Sequence, residues 1–408
     1  MAHQITKLDN GITVLSENIE YVRTISIGAW IKAGSRNDPT PLPGLAHFLE
    51  HMLFKGTKTR TKFEIAHFLE SRGGAMNAYT AREYTTIYAR ILAINLKDAI
   101  EIISDIVLNS RFREPEIEKE KTVVLDEIQD SLDTPTELIH NKFYEKIFPE
   151  HPLSHQITGN AENITNIKKA DLINFVKNNY TTDKLIISAS GLLNHDELVQ
   201  YVEKAFDDLP RSSKKTSLER IPTVKEQTFT FSNKANKQNH ICTGVQTFAF
   251  DDERRLPLLV LNSIFSAGMS SRFFQNIREK HGITYALSSF TDFYMDSGCF
   301  YVYCSSAPKN TKKCLELIRE ELNKISKNSI TDSELATVKA LLKSSLVMAL
   351  ESTSSRMNRL AKQFMYMKSI TSIDEVIKKI NKVKKEDIFR LAKELFQKKN
   401  FVTTILKS

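Results

Sequence analysis

Two imidazoles and a carboxylate fall within five consecutive residues, His47-Phe48-Leu49-Glu50-His51. They sit in GLAHFLEHMLF (44–54), an otherwise apolar stretch preceded by Pro41 and Pro43, a pattern that predicts a helix. On a helix His47 and His51 share one face a turn apart, with Glu50 beside His51. Both imidazoles can then reach one ion, and the carboxylate stands next to the ion's open position, as a hydrolytic zinc centre requires. A helix apolar on nearly every side is buried, so polar groups inside it need partners. A bound metal supplies them.

Such a centre needs a third protein ligand. The segment EPEIEKEKTVVLDEIQD (114–130) reads as a second helix, with Pro115 in its first turn and acidic residues near its start, where the dipole favours them. Glu120 and Glu127 are seven residues apart, two turns, and share a face. One of the two can bind the metal while the other holds a ligand histidine or the substrate. Glu116, Glu118 and Lys119 read as an ordinary solvated surface.

The elements that must position these groups occur twice. Residues 164–180 (ITNIKKADLINFVKNNY) match 380–396 (INKVKKEDIFRLAKELF) at a constant offset of 216, which continues from 181–190 into 397–406. Upstream, 99–107 (AIEIISDIV) pairs with 314–322 (CLELIREEL) at offset 215, each an amphipathic helix after a strand. The chain therefore reads as α+β, two homologous domains that each pack helices on a mostly antiparallel or mixed sheet. The expected boundaries are a metal-binding domain over 1–209, a linker over 210–224 around PRSSKKTS, and a second, metal-free domain over 225–408.

These spaced motifs together resemble the inverzincin zinc metallopeptidases, the family of pitrilysin, insulin-degrading enzyme and mitochondrial processing peptidase. The chain looks like a short, single-half member, similar to the processing peptidase beta subunit. The resemblance implies that Glu127, 76 residues after His51, is the third zinc ligand and that Glu120 is an auxiliary acid. Met76–Glu83 (MNAYTARE) resembles the family's N-A-x-T edge strand, which implies that Asn77 and Ala78 meet an extended substrate. Arg278 and Tyr285 match its R-x6-Y segment and are implied as substrate and transition-state contacts. Ile264–Gly268 is poorer in glycine than in many relatives, so no glycine-rich loop is assigned. The second half lacks H-x-x-E-H, and the position 216 beyond Glu127 is Lys343, so one zinc per chain is expected.

The activity implied is hydrolysis of unfolded peptides or presequences by metal-activated water with Glu50 as general base. Fused relatives enclose substrate between two halves, which implies a homodimer with composite active sites. The rival reading is a non-catalytic or hetero-oligomeric subunit of a processing-peptidase-like complex. Retention of His47, Glu50, His51 and Glu127 argues for activity.

Bulk properties exclude other classes. The net charge of +8 is scattered and not gathered in a basic stripe with aromatics, which argues against nucleic-acid binding. No apolar run approaches a membrane span. Four cysteines without a C-x-x-C pair, and no signal or transit segment at the start of this sequence, give a cytoplasmic expectation.

Overall fold

The computed structural model describes residues 3–211, 218–233, 236–327 and 330–408; residues 212–217 of the expected linker lie outside the described residues. It forms two compact units. One comprises Met1–Asp130, His155–Ser217 and Ala349–Ile370, the other Ser131–Ser154, Leu218–Met348 and Thr371–Ser408. Division by packing thus departs from division at the linker, because each unit takes one helical segment from the other half of the sequence.

The strands of the first unit are β1 (His3–Lys7), β2 (Thr13–Asn18), β3 (Thr24–Ile31), β4 (Ala75–Thr80), β5 (Thr85–Leu92) and β6 (Leu185–Gly191). They form one sheet in the order β1-β2-β6-β3-β5-β4, with β2 and β6 parallel and every other pair antiparallel. The second unit holds β7 (Gln227–Ser232), β8 (Asn239–Thr247), β9 (Thr284–Phe293), β10 (Gly298–Ser306) and β11 (Val402–Lys407), ordered β7-β11-β8-β10-β9. Here β7 and β11 are the parallel pair. Apart from β1, the second order reproduces the first strand for strand, so the α+β repeat read from the sequence is a repeat of topology.

The helices are α1 (Leu45–Leu53), α2 (Lys62–Glu70), α3 (Leu96–Asn109), α4 (Glu114–Asp133), α5 (Pro135–Ile147), α6 (Ala161–Asn166), α7 (Lys169–Asn179) and α8 (His195–Ala205). In the second half they are α9 (Arg255–Ser266), α10 (Thr311–Ile325), α11 (Asp332–Ala349), α12 (Thr353–Met367), α13 (Ile373–Lys382) and α14 (Lys385–Leu395). The limits of α7 and α14 differ by 216 at both ends, the offset found in the sequence. No helix among the described residues is long and apolar enough to cross a membrane.

Period-two patterning assigns each sheet two buried faces. On β3, Ile25, Ile27, Ala29 and Ile31 enter the main core with α1, α3, α7 and α8, while Trp30 points the other way. There it meets Leu15, Ile186 and the α12 residues Met357, Leu360, Ala361 and Met365. The second sheet repeats this plan. Phe300, Val302 and Cys304 of β10 face one core, and Cys299, Tyr301 and Tyr303 face Ile139, Phe143, Tyr144 and Ile147 of α5.

The start of α1 is fixed by Asp38, whose carboxylate accepts from the backbone N–H groups of Gly44 (2.7 Å) and Ala46 (2.8 Å). Gly44 is required at this point because its φ is +99° and a Cβ would lie 2.7 Å from the carbonyl oxygen of Thr158. Burial disfavours the ionised carboxylate of Asp38, and the amides that it caps favour it. Asp38→Ala leaves buried N–H groups of the first turn without an acceptor. It is expected to cost about 1–3 kcal/mol, read as a lowered midpoint in thermal unfolding.

Candidate metal centre

Every residue of α1 other than His47, Glu50 and His51 belongs to the main core: Leu45, Ala46, Phe48, Leu49, Met52 and Leu53 are all buried. That packing fixes the rotation of the helix about its axis, and with it the direction of His47 and His51. Their rings lie with centroids 4.7 Å apart.

The facing groups come from α4, which buries Ile117, Glu120, Val124 and Ile128 in one stripe. Glu127 sits at the exposed margin of this stripe. Its two carboxylate oxygens lie 3.6 Å from His47 Nε2 and 3.6 Å from His51 Nε2. Glu120, one face and two turns earlier, is only 4% exposed and approaches the other nitrogen, His51 Nδ1, at 2.9 Å. Lys55 Nζ holds the second oxygen of Glu120 at 2.6 Å. The carboxylate left open between two roles in the sequence is thus divided by position: Glu127 faces both Nε2 atoms, and Glu120 stands behind one ring.

These groups fit a zinc ion. Ligand atoms of His47, His51 and Glu127 all lie within 4.8 Å of one another. Three corners of a tetrahedron with zinc bond lengths would be about 3.3 Å apart, close to the two 3.6 Å separations. Nδ1 of His51 donates to Glu120, which leaves Nε2 to face Glu127, as a lone pair once the ring is neutral. The two Nε2 atoms face a carboxylate that only a proton or a metal cation between them can satisfy. Burial, together with the charge of His51, lowers the His47 pKa to about 4, so its ring is neutral, as a ligand must be. For His51 burial acts downward, but the hydrogen bond and charge of Glu120, aided by Glu127 and Glu50, raise its pKa.

Glu50 is not among these donors. Its Oε2 accepts a hydrogen bond of 2.6 Å from Thr80 Oγ1 at the end of β4. Burial raises its pKa, opposed chiefly by the Thr80 bond. The carboxylate is therefore oriented from the sheet and biased towards holding a proton.

β4 pairs with β5 and is otherwise an edge, so one side of its backbone is available to an added strand. Asn77 and Ala78 lie on it, with Asn77 Oδ1 accepting from the Ala78 N–H at 2.8 Å. Arg278 and Tyr285 belong to the other unit. Arg278 stacks its guanidinium over Phe274 at 4.7 Å in a π-helical turn, and Tyr285 on edge strand β9 is 82% exposed. Neither is part of the cluster formed by the first unit's own residues.

The sequence reading passed over Lys55 and the hold of Thr80 on Glu50. Lys55 lies two residues beyond the end of α1, where helical spacing gives no signal. Thr80 had none beyond its place in the MNAYTA segment, since only the sheet brings it to Glu50.

Comparison with known proteins identifies the family. Residues 13–161 match the family model for insulinase, peptidase family M16, and residues 166–342 match the model for the peptidase M16 inactive domain. The chain is 35% identical over 387 residues to the zinc protease YmxG of Bacillus subtilis, itself uncharacterized, covering 95% of this chain and 94% of that one. An uncharacterized zinc protease of Rickettsia felis is 35% identical over 393 residues, covering 96% and 94%. Among solved structures, a protease from Helicobacter pylori aligns over 100% of both chains with a TM-score of 0.92 at 23% identity. A peptidase M16 inactive domain from Pseudomonas fluorescens gives 0.94 at 18% identity, over 100% of this chain and 98% of that one. At these identities the two structures speak for the fold.

The contact of Glu120 with His51 generates a test. Glu120→Ala should weaken zinc binding by about 10- to 100-fold without removing a donor, measured by competition with a chromophoric chelator. An unchanged affinity would show that Glu120 does not support the ring.

Proposed function

This chain belongs to peptidase family M16, and from that premise we propose that it is a zinc-dependent endopeptidase acting on unfolded peptides or presequences. The observation that carries the reading is Glu50: a half-buried carboxylate, held by Thr80 and adjacent to His51, that takes no place among the three donors. A structural zinc site needs no such group. In this reading His47, His51 and Glu127 hold one zinc per chain, which when bound polarises the scissile carbonyl and acidifies a water to a pKa of about 7.

Glu50 would take a proton from the attacking water as the water's oxygen adds to the carbonyl carbon, and deliver it to the amine nitrogen as the C–N bond breaks. The raised pKa of Glu50 suits a group that must both accept and return a proton. Glu120 and Lys55 keep His51 in one tautomer and orientation. The open side of β4, with Asn77 and Ala78, offers an extended peptide a partner strand, which selects unfolded chains.

The assembly in this proposal is a homodimer with shared sites. Arg278 and Tyr285 match the family's substrate-contacting segment yet stand in the metal-free unit, so a second copy would bring its own pair to the zinc of the first. Tyr285 would then donate to the developing oxyanion and Arg278 would grip the peptide. Four buried free thiols accord with a reducing, cytoplasmic setting. A non-catalytic subunit is the alternative, and it has no need for Glu50.

Elemental analysis should find one zinc per chain in the wild type and none in His47→Ala. Glu50→Gln should retain the zinc while kcat on a quenched fluorescent peptide falls by about 10²- to 10⁴-fold. A Glu50→Gln protein that cleaves at the wild-type rate would remove the base from the mechanism.

Shared sites predict complementation. Glu50→Gln and Tyr285→Phe homodimers should each be poorly active, and mixing should restore one intact site per mixed dimer. Exchange of subunits without recovery, or an active species that sediments as a monomer, would overturn the shared-site assembly.

A further inference from the structure

Tyr180 is only 2% exposed, and its hydroxyl has no protein hydrogen-bond partner. It closes α7, a helix that packs against α1. A phenol sealed from water without a partner is unfavourable, and phenylalanine would fill nearly the same volume without that penalty.

The chain contains the comparison within itself. The residue 216 positions on is Phe396, which closes α14 in the same manner and is also buried. Two equivalent helix ends in two equivalent folds therefore differ by one hydroxyl. The hydroxyl occurs in the repeat that holds His47, Glu50, His51 and Glu127, and is absent from the repeat that holds no such set. Packing does not call for it, since the second repeat packs the same corner with a bare ring.

Tyr180 ends the helix that packs on α1, the element that carries Glu50. Burial first, and the Glu50 carboxylate second, keep the phenol protonated, so it is a donor. Glu50 already accepts from Thr80 on the strand side. A donor on the α7 side would fix the remaining freedom of the carboxylate about its terminal torsion, which is otherwise broad.

We propose that Tyr180 is a positioning residue for Glu50, its hydroxyl donating to the carboxylate through one water, so that Thr80 and Tyr180 together set the direction in which the base faces. The proposal rests on Glu50 being the base. It also explains why the first repeat keeps a buried hydroxyl that the second has discarded: the group is retained for orientation, against stability.

Two measurements on the zinc-loaded, full-length protein test this. Thermal unfolding of wild type, Tyr180→Phe, Glu50→Gln and the double variant forms a cycle that requires no catalysis. A hydroxyl acting on the carboxylate gives non-additive shifts in Tm, and additive shifts overturn the proposal. In peptide cleavage, Tyr180→Phe should lower kcat about tenfold with KM within about twofold and zinc content unchanged. An unchanged kcat, or a loss of zinc that accompanies the loss of rate, overturns it as well. A wild type that cleaves nothing, beside a non-additive cycle, would overturn the peptidase reading while leaving the link between Tyr180 and Glu50 in place.

Discussion

The contact between His51 and Glu120 joins α1 to α4, and the rest of the site depends on it. A helix enclosed in the core carries two imidazoles and a carboxylate, which have to be satisfied or the helix could not be buried there. Glu120 meets one ring from behind, Thr80 meets Glu50 from the sheet, and Glu127 is left to close the front. The partners come from two elements, the two glutamates from α4 and Thr80 from β4. Displacing α4 would take both glutamates from the rings, and displacing β4 would release Glu50.

The same scaffold was built twice and put to use once. Strand order, the parallel pair and the helix limits of α7 and α14 all recur, so the repeat preserves whatever the backbone needs to close its two-faced sheet. What differs is confined to side chains that the fold does not require. The helix equivalent to α1 carries no H-x-x-E-H, and the position matching Glu127 is Lys343, which binds Asn381 Oδ1 at 3.0 Å. A cation on that helix is compatible with packing and incompatible with holding a metal.

How much of this was legible in the sequence follows from the range over which each signal acts. The motif on α1 and the Glu120–Glu127 pair on α4 were legible because helical spacing is local. The repeat was legible because a constant offset survives divergence of individual residues. Asp38 as the cap of α1 was not legible, since it precedes Pro41 and Pro43 and reaches forward across a loop to Gly44 and Ala46. Neither was the hold of Thr80 on Glu50, which depends on where the edge strand falls. Arg278 and Tyr285 were found only by resemblance, and within their own unit neither touches a group that would disclose a purpose.

The exchange of α5 and α12 has a consequence for how the chain reaches its native state. One face of the first sheet is covered by α12, through Trp30 and Ile186 and through the ion pair of Glu17 with Arg356, 339 residues away in sequence. A ribosome would have released most of the chain before that face could be sealed, leaving Trp30 and its neighbours open to water during synthesis. The first half alone lacks its cover, and the second half alone lacks α5. Contacts of such long sequence separation make folding slow, and a fragment cut at the midpoint would expose an apolar sheet face on each side of the cut. Although its repeats are complete in topology, the protein must be made whole before either of them is finished.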